Sequence, residues 1–170
     1  MVTRSLDRRA VLTGLAAATA LLPQNVLAKE IIDLNWTDLI PEGQPVIPPA
    51  LRNLLQHDES APASQQPQSM GVRTDWNNRT VRLPGFIIPL DYSGKGITAF
   101  ILAPFVGACI HVPPPPANQL VFVTSETPYS GKGMFEAVKV VGELSVSSIS
   151  THLADVGYAL TADRIEPYEV

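Results

Sequence analysis

Three observations predict a mainly β protein. Five or six apolar runs of strand length follow residue 69, helical patterning is confined to short stretches, and glycines sit inside or beside the runs. Together they fit a small closed barrel of the five-stranded OB type with one or two short helices; a β-sandwich is the alternative.

The first 28 residues stand apart. Arg4, Arg8 and Arg9 form a basic head, an apolar stretch runs over 11–22, and Val26-Leu27-Ala28 supplies a small-residue cleavage site. That is the build of an export signal, and the apolar stretch is shorter than the ~20 residues a bilayer span requires. The DRRAVL motif suits the twin-arginine route; the general secretory route is the alternative. The expected compartment is the periplasm, with no direct membrane insertion after cleavage. Removing 1–28 takes away three arginines and one aspartate, so the remainder is more acidic than the whole chain's net charge of −4. Such a balance gives no general attraction for nucleic acid or anionic lipid.

Residues 29–69 read as an irregular N-terminal arm (29–48), a short helix over ALRNLLQH (50–57) opened by Pro48 and Pro49, and a polar linker (58–69). Trp36, Leu39 and Ile40 are the residues that would dock the arm. The β domain occupies 70–170. VRTDW (72–76) and TVRLPGFIIPL (80–90) flank Asn77-Asn78 and predict a hairpin, in which Trp76 packs. ITAFILAPF (97–105) and QLVFVT (119–124) are nearly continuous apolar runs. FEAVKVVGELSV (135–146) reads as a long strand bent or bulged at Gly142. SSISTHLADVG (147–157) predicts one or two helical turns closed by Gly157, and YALTADRIEPY (158–168) the last strand. An oligonucleotide-binding use of such a barrel needs a basic, aromatic-rich face, which this sequence lacks.

The chemistry concentrates in GACIHVPPPPANQ (107–119). Cys109, the chain's only cysteine, stands two residues before His111, one of its three histidines. A lone cysteine in an exported chain has no intramolecular disulfide partner, and an idle exposed thiol is penalised in an oxidising compartment. In an extended segment Cys109 and His111 share a face, within reach of one ion. Thiolate and imidazole suit zinc, and thiolate also suits Cu(I). His57, beside Asp58 and Glu59, and His152, three residues before Asp155, are candidates for the remaining ligands. Three readings stay open: a metal site at Cys109 and His111, a buried inert cysteine, and a nucleophilic thiolate paired with His111 and oriented by Asn118 or Gln119. Pro113, Pro114, Pro115 and Pro116 form a stiff polyproline stretch. With Asn118 and Gln119 it could brace the ligand pair or present a rim to a partner protein.

Several segments together resemble one family: WTDLIP (36–41), VRLPGFIIPL (81–90), FILAPFVGACIHVPPPPANQ (100–119), VVGEL (140–144) and the YALTADRIEPY ending. The chain is identified as similar to a bacterial exported family known as domain of unknown function 3299. The resemblance spans nearly all of the chain after residue 28, and the CIHVPPPPxNQ block is its most specific part. It implies a periplasmic accessory to metal or envelope transport, with Cys109 and His111 as the motif's candidate ligands. Combined with the residues, the expected function is a metal-binding module, not an enzyme, with zinc favoured; the alternative is an interaction protein docking on an ABC-type membrane transporter subunit through the proline-rich rim. The sequence departs from the family pattern in having no lipidation cysteine and in placing Asn77-Asn78 before VRLPG.

Overall fold

The computed structural model of the chain describes residues 29–43, 66–69, 71–106 and 114–169. The expected export signal, the expected helix over 50–57 and His57 lie outside the described residues. Six strands account for most of the rest: β1 Ile32–Asp33, β2 Arg79–Ser93, β3 Gly96–Ala103, β4 Val121–Tyr129, β5 Ala137–Ser150 and β6 Asp155–Pro167. Two single 3-10 turns, Trp36–Leu39 and Ala117–Gln119, are the described helical elements. No helix among the described residues is long and apolar enough to cross a membrane.

The sheet runs β1-β2-β3-β4-β6-β5, and β2 also pairs with β5, which closes β2 to β6 into a barrel. β2 achieves closure by serving two neighbours. Its first half pairs with β5, from Arg79↔Leu144 to Phe86↔Ala137, and its second half with β3, from Phe86↔Ala103 to Ser93↔Gly96. β4 and β6 lie parallel, with Val121 opposite Tyr158. All other barrel pairings are antiparallel. This is the five-stranded Greek-key OB arrangement that the sequence predicts.

Side-chain alternation explains how so apolar a chain stays folded. Val81, Leu83, Ile87, Phe100, Leu102, Val121, Val123, Val140, Leu144, Tyr158 and Leu160 fill the interior. Their neighbours Ile88, Ile101 and Ala103 point the opposite way and form a second, outer cluster with Leu120, Ala154 and Val156. The continuous apolar run of β3 therefore reflects burial on both faces.

Gly142 sits at a register shift between Val141 and Gly142 in the β5–β6 pair. A Cβ there would lie 2.1 Å from the Thr161 carbonyl oxygen, so the close approach of β6 admits only glycine. The bulge expected at Gly142 is thus present.

Two local expectations are corrected. The stretch 147–157 is a β-hairpin instead of helical turns: β5 continues to Ser150 and β6 begins at Asp155. Thr151 tightens the connection, its Oγ1 accepting from the Leu153 and Ala154 N–H groups and donating to the Ala154 carbonyl. The β-branched Val146, Ile149 and Val156 favour strand here, and long-range pairing of β5 with β6 outweighs the local helical pattern. Gly157 is a β6 residue whose bare Cα lets Val72 and the Ala117 backbone approach; a Cβ would sit 2.8 Å from Val72 Cγ1. The second correction concerns 72–76, which is not a strand. Residues 75–78 form a turn, with Asn78 at φ 58°, but the backbone leaving it pairs with β5. Asn78 N–H donates to the Leu144 carbonyl, and Asn77 Oδ1 accepts from Val146 N–H. β5 takes the edge that a local hairpin partner would have used.

Candidate functional site

The long connection between β3 and β4 carries the Cys–His motif. It leaves the barrel after Ala103, which is fully buried, and returns through the buried Pro114 and Pro115 to the 3-10 turn Ala117–Gln119. Cys109, His111 and Pro113 lie in the part of it outside the described residues. Its two anchors are firm. Phe105 packs against the outer cluster on the way out, and Leu120 belongs to that cluster on the way back.

The β5–β6 turn lies at the same barrel end. Val121, just after the connection, stands opposite Tyr158, three residues after the start of β6. Leu153, Ala154 and Val156 pack in the same outer cluster as Phe105 and Leu120. Gln66 joins the two: its Nε2 donates to the Pro115 and Asp155 carbonyls, both at 2.8 Å, and its Oε1 accepts from Asp155 N–H at 2.8 Å. His152 is exposed on this turn, and the exposed Asp155 carboxylate accepts from Ser150 Oγ at 2.6 Å. The structure thus brings His152 and Asp155 to the end from which the Cys109–His111 segment springs. Among the described residues, no group of three or more His, Cys, Asp and Glu side chains could hold a metal ion.

Asn118 and Gln119 are turned inward, 4% and 5% exposed. Asn118 Nδ2 donates to the Gly71 carbonyl at 2.9 Å, and Gln119 Nε2 to the Trp36 carbonyl at 2.9 Å. With Pro114 and Pro115 also buried, these four residues line the inside of the fold, where the sequence suggested an outward rim. Their amides are occupied in holding the N-terminal segments against the barrel. A fixed φ at each proline sets the angle at which the turn enters, and the two amide side chains tie it to the Gly71 and Trp36 carbonyls.

More of this latch comes from residues that the sequence left without a polar role. Tyr158, 1% exposed, donates its hydroxyl to the Leu39 carbonyl at 2.8 Å and accepts from Arg73 N–H at 2.6 Å. Burial pushes its phenol above the usual range. Trp36 Nε1 donates to the Pro84 carbonyl at 2.8 Å and Trp76 Nε1 to the Asp38 carbonyl at 3.0 Å, with the Arg73 guanidinium 5.7 Å from the Trp76 ring centre. Trp36 and Leu39 dock the arm, Leu39 with no exposure at all. The signal for Tyr158 is its place at the head of the apolar YAL run, where a buried phenol needs a partner.

Two modest concave surfaces lie among the described residues. An open depression of about 260 Å³ is lined by Ser125, Thr127, Tyr129 and Asp163 among others, and one of about 170 Å³ by Trp36, Pro84, Phe86, Pro104 and Tyr168 among others. Both fall below the ~300–1,000 Å³ usual for small-molecule sites.

The chain belongs to the DUF3299 family, described as protein of unknown function, whose model matches residues 36–167. It is similar to the crystal structure, at 2.45 Å resolution, of a DUF3299 family protein from Pseudomonas aeruginosa PAO1. The two are 36% identical with a TM-score of 0.68, over 83% of this chain and 98% of that one. No curated protein matches the chain.

Proposed function

We propose that this protein is a periplasmic, non-enzymatic accessory that binds a transition metal, zinc above others, through Cys109 and His111, and assists metal or envelope transport. One observation carries the reading. The chain's only thiol, with an imidazole two residues on, belongs to the connection between Phe105, packed against the outer cluster, and the buried Leu120, at the barrel end that also displays His152 and Asp155.

Thiolate and neutral imidazole are both good zinc donors, and a four-coordinate site needs two more. His152 and Asp155 are described donors at this end, and His57 is the third histidine. Metal binding releases the thiol proton, so affinity falls as pH drops through the range where thiol and imidazole protonate. A carrier of this kind delivers its ion by docking, which is compatible with a membrane transporter subunit as its partner.

The test is the metal content of the purified protein by mass spectrometry, alongside Cys109→Ser, His111→Ala and His152→Ala. The expected result is about one zinc per chain, lost in the first two variants and weakened in the third. A chain that stays metal-free after loading with zinc would overturn the proposal and leave Cys109 as a packing residue.

A further inference from the structure

The N-terminal segment covers an edge of the barrel with a strand that is weakly held and strongly patterned. β1 lies parallel to β2, with Ile32 opposite Val81 and Asp33 opposite Arg82, and Leu34 N–H continues the ladder to the Arg82 carbonyl at 2.9 Å. Charge repeats the same register. Asp33 pairs with Arg82 at 2.8 Å, and Glu30, the same offset upstream, lies 3.7 Å from Arg79. Lys29 meets Glu143 of β5 at 2.9 Å.

These contacts are wet: the Glu30 and Asp33 side chains are 82% and 72% exposed. Ion pairs of that exposure contribute little and are screened by salt. A two-residue ladder adds few hydrogen bonds, and Ile31 is 38% exposed. From Leu34 onward the segment is anchored by burial, with Leu34 at 3% and Leu39 at 0%. Residues 29–33 can therefore lift while 34–43 stay docked.

The covered strip shows an independent mark of incompleteness. Thr80, between Arg79 and Val81, is 5% exposed, yet its hydroxyl has no hydrogen-bond partner among the described residues. A buried hydroxyl left unpaired costs free energy.

We infer that the β2 edge over residues 79–83 is an exchangeable docking strip for an extended acidic segment of a partner polypeptide, with residues 29–33 as its built-in stand-in. The partner adds as a parallel strand. Its backbone takes the ladder positions of Ile32 and Asp33, and two carboxylates three residues apart meet Arg79 and Arg82, one on each side of the strand. Charge complementarity selects the partner: the strip offers two guanidiniums, and the segment now seated on it carries the matching acids. The strip shares no residue with the Cys–His motif, so its occupancy is independent of metal binding.

The experiment uses the full chain and a blocked synthetic peptide, KEIIDLN, equal to residues 29–35, followed by NMR of isotope-labelled protein. Glu30→Lys/Asp33→Lys weakens the built-in strand without touching Leu34 or Leu39. Saturable shifts confined to 79–83 and adjacent β5, stronger in this variant than in wild type, reduced by salt and abolished by adding Arg79→Glu/Arg82→Glu, are the expected result. Absence of saturable binding, or binding indifferent to the arginine changes, overturns the inference. So does hydrogen exchange in which the amides of 31–33 open only with the whole barrel. A salt-sensitive dimer of the wild type that disappears in Arg79→Glu/Arg82→Glu would assign the strip to a second copy and overturn the assignment to a partner peptide.

Discussion

The barrel interior and the latch at its connection-bearing end are held together by different chemistry. The interior closes on Phe100, Leu102, Val123, Val140 and Leu144, apolar side chains that need only fill space. The latch closes on Asn118, Gln119, Gln66 and the Tyr158 hydroxyl, each committed to a named backbone group. Apolar burial is non-directional and tolerates repacking, whereas a buried amide is favourable only while its partner stays in place. The same protein thus has a forgiving core and an exacting seam. The seam decides whether residues 36–43, 66–69 and 71–73 stay on the barrel.

The largest effect expected of a single substitution breaks the forgiving half. Gly142→Val puts branched carbon where even one Cβ would stand 2.1 Å from the Thr161 oxygen, so β5 and β6 must separate. A loss above ~4 kcal/mol is expected, enough to abolish cooperative folding in a domain of this size. Circular dichroism melting checks it, and a stable folded variant would show that the β5–β6 approach is looser than described.

Gln119→Ala probes the seam. It strips the Trp36 carbonyl of its donor and leaves a small cavity, at a cost of about 1–3 kcal/mol. The outcome expected from the comparison is local: hydrogen exchange speeds up in residues 34–41, while β3 and β4 keep their protection. If protection falls equally everywhere, latch and interior are one cooperative unit and the distinction fails.

The smallest effect lies at the opposite barrel end, where the Tyr129 hydroxyl donates to Glu136 at 3.0 Å and Glu136 also accepts from Lys132 N–H. Burial, aided by the Glu136 carboxylate, pushes the Tyr129 phenol up from 10.0 to about 12. A phenol with a raised folded pKa favours the folded state while neutral. Its contribution is complete below about pH 10 and fades between about pH 10 and 12. Wild type should therefore exceed Tyr129→Phe slightly in melting temperature at pH 8, and the gap should close as pH rises past 10. A gap constant in pH would mean that this pair stabilises nothing through its proton.

How much of this was legible follows from the range of each interaction. The alternation in VRLPGFIIPL and FEAVKVVGELSV and the run in ITAFILAPF point to strands because period-two burial is written in consecutive residues. Gly142 was legible as a bulge for the same reason. The hairpin at 147–157 was not, since SSISTHLADVG carries a local helical pattern and only pairing of β5 with β6 turns it into strand. The candidate site divides in the same way. The Cys109–His111 spacing is local and readable, whereas the meeting of Gln66, Pro115 and Asp155 joins segments far apart in the chain.

The β class, the barrel strands, the bulge and the place of the Cys–His motif are written in the sequence, because each rests on neighbours in the chain. Tertiary structure alone decided that Asn118 and Gln119 face inward, that Tyr158 ties Leu39 to Arg73, and that Glu30 and Asp33 find Arg79 and Arg82. A polar side chain has a specific partner only once the fold brings a distant backbone or charge within about 3–4 Å. No periodicity along the chain encodes that distance.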